Sequence, residues 1–157
     1  MINFSRIEEN LFIGSAPQSA VDVARLKQMK ISSVLSLQSD DDFNAHRIDW
    51  NKLQDAYQST GVYVQRFPII DFDEADLGRK LHSPAKALHQ ILSLNHRVYV
   101  HCNAGICRAP ATVLAYLCHY RGMSIDEGLD VLRRQRPQVH PYISAVRLAL
   151  EKLAADD

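Results

Sequence analysis

Val98-Tyr99-Val100-His101-Cys102-Asn103-Ala104-Gly105-Ile106-Cys107-Arg108-Ala109-Pro110 runs from a short apolar strand, through a loop bounded by Cys and Arg, into a helix. Val98 to Val100 is β-branched and aromatic, the composition of a buried strand. Pro110 to Tyr120 is apolar nearly all round, so the helix is buried as well. The five residues between Cys102 and Arg108 are just enough to wrap the backbone around a tetrahedral anion. Their N–H groups then turn inward, with the helix N-terminus behind them. Gly105 permits backbone angles that a side chain would forbid. Pro110 falls in the first helical turn, where its missing N–H costs nothing.

The flanking sequence supplies the scaffold. Asn10-Leu11-Phe12-Ile13 before Gly14-Ser15-Ala16-Pro17 predicts a short strand and its turn, and Ser19 an N-cap for a helix to about Lys30. Ile31 to Leu37 is a second buried strand and Val62 to Phe67 a third, ended by Pro68. Trp50, Leu53 and Tyr57 fall at helical spacing before Gly61, and Leu81, Ala85, Leu88 and Leu92 mark a long amphipathic helix. Ser124-Ile125-Asp126-Glu127 is a capping box, and Ile143, Val146, Leu150 and Leu153 mark a last helix. Alternating strands and helices predict one α/β domain over residues 1–157, with a mainly parallel sheet of four to five strands flanked by helices. Ligands of such sheets sit at the carboxyl ends of the strands, where the Cys102–Arg108 loop lies.

Composition narrows the partners. Among 157 residues, 46% are apolar and 23% charged, the mix of a soluble globular protein. Lysine plus arginine and aspartate plus glutamate stand at 18 each, so no global field recruits nucleic acid or membrane. The N-terminus lacks a secretory pattern and no apolar run is long enough to span a bilayer, so the chain is expected to be cytoplasmic, and monomeric. Three cysteines, all between Cys102 and Cys118, are not a disulfide framework.

The loop residues imply a chemistry. Arg108 offers a planar fork that matches two phosphate oxygens. Inward N–H dipoles, the helix N-terminus and the guanidinium also favour a thiolate at Cys102, a nucleophile aimed at whatever anion the loop holds. Asn103, Ala104, Gly105, Ile106 and Cys107 then bind substrate through the loop itself, and His101 orders it. Such a step needs a carboxyl group as acid, then base. Candidates lie in Pro68-Ile69-Ile70-Asp71-Phe72-Asp73-Glu74-Ala75-Asp76, with Asp71 first and Asp73 the alternative. A metal site using His101, Cys102 and Cys107 is disfavoured, because Arg108 repels a cation and paired Cys-x-x-Cys spacing is absent. No cofactor is expected. Cys107 is read as a small filler against the following helix, with a reversible disulfide to Cys102 as the alternative.

His101 to Arg108 matches His-Cys-x-x-Gly-x-x-Arg, and in this the chain resembles the cysteine-dependent protein tyrosine and dual-specificity phosphatases. The resemblance implies hydrolysis through a phosphocysteine, without metal, and with Asp71 as the general acid. Within that group the chain is most similar to the plant starch (glucan) phosphatases, in Ser36-Leu37-Gln38, Arg66 to Leu81 and Arg108-Ala109-Pro110-Ala111. Ala109 stands where most dual-specificity enzymes carry Ser or Thr. The glucan enzymes display aromatics in the loop after the second strand, where this chain has Asp40-Asp41-Asp42-Phe43-Asn44-Ala45-His46. Phe72 remains beside the acid, as a substrate contact. The expected substrates are phosphotyrosine and phosphoserine/threonine proteins; alternatives are a phosphoglucan, or a silent phosphate-binding module.

Overall fold

The computed structural model describes residues 1–156 and carries five strands and eight helices over them. The strands are β1 (Phe4–Glu8), β2 (Leu11–Gly14), β3 (Ser33–Ser36), β4 (Tyr63–Arg66) and β5 (Val98–His101). They form one sheet in the order β1-β2-β5-β3-β4, parallel throughout except for the β1–β2 edge hairpin. The mainly parallel α/β reading therefore holds, with five strands. β5 lies in the centre with all four residues buried, as its apolar run requires. The hairpin strand β1 is one that periodicity missed. Its Phe4-Ser5-Arg6-Ile7-Glu8 sits on a half-exposed edge, and only Ile7 is buried.

The helices are α1 (Ala20–Gln28), α2 (Asp40–Ala45), α3 (Trp50–Thr60), α4 (Glu74–Lys80), α5 (His82–Ser93), α6 (Arg108–Arg121), α7 (Ile125–Gln135) and α8 (Ile143–Asp156). One core, centred on α6 with α5, α8 and the sheet, holds Val98, Val100, Leu114 and Val146. A second, under α1 and α3 on the opposite face, holds Phe12, Leu26, Val34 and Tyr57. α6 is buried over ten consecutive residues, Arg108 to Leu117, and ends at Gly122 with φ 71°. Such a left-handed C-cap is inexpensive only for glycine.

Two helices occupy stretches that read as loops. Asp40-Asp41-Asp42 has low helix propensity, yet α2 is closed by a capping box in which Ser39 and Asp42 each bond the other's backbone N–H. Asp in place of Glu at the third position hid that signal. α4 begins inside the acidic stretch, capped by Asp73, whose Oδ1 accepts from the Asp76 N–H at 2.9 Å. The strand expected to run to Phe67 ends at Arg66. Pro68 cannot donate to a ladder, but Phe67 and Ile69 still donate to the carbonyls of Ser36 and Leu37. These bonds carry the chain along β3 and deliver Asp71 to the carboxyl edge beside β5.

Candidate active site

The loop after β5 is held from outside. Every carbonyl from Cys102 to Cys107 accepts a hydrogen bond from the scaffold. His101 Nδ1 donates to Cys102 O at 3.0 Å, and Ala16 N–H to Asn103 O at 3.0 Å. The buried Arg136 donates through Nη2 to Ala104 O and through Nε to Gly105 O, each at 2.9 Å. His140 N–H donates to Ile106 O at 2.6 Å and Ala111 N–H to Cys107 O at 2.9 Å. With six consecutive carbonyls turned outward, the intervening amides face in. Among the described residues, the amides of 103–107 donate to no protein acceptor. That arrangement is an anion cradle. Its floor is close: a Cβ on Gly105, whose φ is 69°, would lie 2.6 Å from the Gly14 carbonyl oxygen.

Two side chains flank the cradle. Cys102 is 3% exposed at its base, a free thiol. Arg108 is 1% exposed, and its Nη1 is held by Asp42 Oδ2 at 2.6 Å, Ile69 O at 2.8 Å and Leu37 O at 3.4 Å. Its other two nitrogens, Nε and Nη2, are buried with no hydrogen-bonded protein acceptor among the described residues. That free edge of the fork matches two oxygens of a phosphate. Asp71 Oδ1 lies 3.2 Å from Nε as an ion pair, outside hydrogen-bond geometry.

The structure thus brings Asp71 to Cys102's loop, where Asp71 Oδ2 also accepts from Asn103 Nδ2 at 3.2 Å. Asp73, the alternative acid, is committed to capping α4. Phe72 has φ 59° and is 85% exposed, so the ring beside Asp71 stands free in solvent. His101 is fully buried; burial pushes its pKa down to about 4, with the charge of Arg108 adding to this against the bond to the Cys102 carbonyl. It is a neutral, fixed donor. Burial pushes the Cys107 thiol up to about 11, and the side chain packs against the core beside α6.

Residues 11–152 match the family described as the catalytic domain of dual specificity phosphatases. The chain belongs to that family. It is accordingly a cysteine-dependent phosphatase domain of a metal-independent group. Among curated relatives it is 32% identical to the chloroplastic phosphoglucan phosphatase LSF1 of Arabidopsis thaliana over 88% of its own length, and 32% identical to the amyloplastic phosphoglucan phosphatase DSP4 of Castanea sativa over 94%. It spans 24% and 40%, respectively, of those two proteins. Mouse laforin is 26% identical over 88% of the chain. The crystal structure of PTPMT1 superposes with TM-score 0.77 at 20% identity, covering 98% of each chain, which shows the shared fold. The two plant relatives are described as plastid proteins, so they lend no support to a cytoplasmic location. Among the described residues no helix is long and apolar enough to cross a membrane.

Two members of this phosphatase site escaped the sequence reading. Asp42, in a stretch whose sequence reads as a loop, is the carboxylate under Arg108. Burial raises its pKa, but hydrogen bonds from Arg108, the Ser39 N–H and Asn103 outweigh that and hold it below the usual carboxylate range. Arg136, in Arg133-Arg134-Gln135-Arg136-Pro137, looks like one more surface cation of α7. Only its position before Pro137, past the helix end, set it apart. Trp50 stacks on Phe43 at 5.3 Å, and Arg66 covers both rings at 5.2 and 4.5 Å. That pair is packing, leaving Phe72 as the free aromatic next to Asp71.

Proposed function

We propose that this domain hydrolyses phosphomonoesters on a phosphorylated glucan. Cys102 Sγ attacks phosphorus while Arg108 and the amides of 103–107 hold the equatorial oxygens, where charge builds in the transition state. The P–O ester bond breaks, and the leaving alkoxide takes the proton of the Asp71 carboxyl group. Asp71, now a carboxylate, takes a proton from water as that oxygen attacks the phosphocysteine. The S–P bond breaks, returning thiolate and inorganic phosphate.

The substrate class rests chiefly on Phe72. A bulky residue at positive φ is strained by roughly 1–3 kcal/mol, and strain of this kind is retained at functional positions. Here it supports an apolar face at the mouth of the site, on which a sugar ring can stack. Ala109 and the two 32%-identical phosphoglucan phosphatases point the same way. Phosphoproteins, first in the sequence-based expectation, become the second reading: Ile70 and Ile106, 40% and 38% exposed, would equally flank a phosphotyrosine ring. The test is phosphate release from phosphorylated amylopectin beside a phosphotyrosine peptide. The glucan reading expects the higher kcat/KM on amylopectin; a clear preference for the peptide would return phosphoproteins to first place.

A further inference from the structure

Asn103 and Arg108, near the two ends of the phosphate loop, bridge the same two carboxylates. Arg108 reaches Asp42 Oδ2 through Nη1 and Asp71 Oδ1 through Nε. Asn103 Nδ2 donates to Asp42 Oδ1 at 2.8 Å and to Asp71 Oδ2 at 3.2 Å. The amide cannot turn over without cost. Its Oδ1 accepts at 2.8 Å from Nε2 of Gln38, a residue with no exposed surface, and the flipped amide would point oxygen at two carboxylates. So the nitrogen of Asn103 is fixed toward Asp71 by groups outside the acid loop.

We propose that Asn103 is a positioning residue for the general acid, holding the Asp71 carboxyl group over the phosphate loop. This rests on the acid role of Asp71 given above. Oδ1 accepts from the Phe72 N–H at 3.1 Å within the acid loop itself, so the Asn103 bond to Oδ2 is the hydrogen bond that reaches the Asp71 carboxyl group from the phosphate loop. When a phosphate engages the free edge of Arg108, the Nε contact to Asp71 is exchanged for a phosphate oxygen. The bond from Asn103 then keeps the Asp71 carboxyl group itself on the phosphate loop, facing the leaving group. After transfer the same bond stabilises the carboxylate that activates water.

The consequence is a dependence on the leaving group. Expelling a poor leaving group requires the proton, whereas p-nitrophenolate leaves with little help. Asn103→Ala and the near-isosteric Asn103→Leu are measured on an alkyl phosphate and on p-nitrophenyl phosphate, each alone and with Asp71→Asn. The expected result is a loss in kcat/KM of about tenfold or more on the alkyl ester. The loss in phosphorylation of the enzyme by p-nitrophenyl phosphate, read from the burst, should be at least about threefold smaller than the loss on the alkyl ester. In the Asp71→Asn background the Asn103 substitutions should add nothing on the alkyl ester. Equal losses on both esters, or full additivity with Asp71→Asn, overturns the proposal in favour of a merely structural Asn103. Should Asp71→Asn itself leave the alkyl reaction intact, the acid assignment fails and the proposal with it. Because neither ester is a glucan, the substrate reading is not at stake.

Discussion

Asp42 Oδ2 sits 2.6 Å from Arg108 Nη1, both side chains buried, with the carboxylate held from below by the Ser39 N–H at 2.8 Å. The pair fixes the rotation of the guanidinium about its own plane. It uses up one nitrogen and leaves Nε and Nη2 for the ligand. A buried pair of this sort adds little net stability over an apolar pair, but its half-removal is costly because the survivor is left uncompensated.

Removing only the charge of Asp42 should therefore separate orientation from folding. Asp42→Asn is expected to lower kcat/KM by about 10²-fold through misplaced Arg108 donors. Asp42→Ala is expected also to lose about 3 kcal/mol of stability. Urea melts beside kinetics on p-nitrophenyl phosphate check both; an unimpaired Asp42→Asn enzyme would mean that the carbonyls of Ile69 and Leu37 suffice to aim Arg108.

That Asp42 went unread while Cys102, Arg108 and Asp71 did not has a physical reason. The phosphate loop is local: strand, glycine, arginine and helix lie within a dozen consecutive residues, so spacing alone encodes the cradle. Asp71 leads the acidic stretch because it follows an apolar strand at the edge where parallel topology gathers loops, but Asp73 competes on position, and the family resemblance is what singles out Asp71. Asp42 and Arg136 act across the fold, 66 and about 30 residues from the groups they bond. Their burial comes from tertiary packing, which no periodicity in Asp40-Asp41-Asp42 or Arg133-Arg134 announces. The same holds for β1 and α4, whose sequences lack a full apolar face and are set by their neighbours.

Arg136 offers a test of how the cradle is built. Its guanidinium satisfies two loop carbonyls and Ser5 Oγ. Arg136→Met keeps the length and removes every donor, leaving two buried acceptors unpaired. It should cost about 2–4 kcal/mol and weaken inorganic phosphate inhibition about tenfold, since carbonyls that are free can rotate inward. Thermal melts and inhibition constants report the two effects; stability lost with phosphate affinity unchanged would uncouple Arg136 from the cradle.

His101 predicts the neutral-to-acid limb of stability. Its folded pKa, pushed down to about 4, lies below the unfolded value near 6.5. Between these values the unfolded chain binds more protons, so stability rises with pH. The contribution is full above about pH 6.5 and falls away towards pH 4, by about 3 kcal/mol in all. Asp42 and Asp76, both held below the usual carboxylate range, lose their contributions at still lower pH, as they protonate. Urea unfolding of the parent and His101→Asn, whose amide can still donate to the Cys102 carbonyl, should show the upper limb in the parent alone.

Phe72 should trade stability against substrate binding. Glycine adopts positive φ freely, so Phe72→Gly is expected to leave stability unchanged or to raise it by up to about 1 kcal/mol. The same change should raise KM for phosphorylated amylopectin about tenfold, with kcat/KM for p-nitrophenyl phosphate within about threefold of the parent. Steady-state kinetics on both substrates decides it, and an equal effect on both would place Phe72 in loop geometry instead of sugar binding.

The most direct measurement is a trap of the covalent intermediate. p-Nitrophenyl phosphate needs little acid to leave, but in the proposed mechanism hydrolysis of the phosphocysteine needs Asp71 as base, so Asp71→Asn should accumulate the adduct. After acid quench, peptide mass spectrometry is expected to find one phosphoryl group on the peptide containing Cys102, absent when Cys102→Ser is added. Turnover with no adduct on Cys102, or a phosphoryl group on Cys107 or His101 instead, would contradict the mechanism outright.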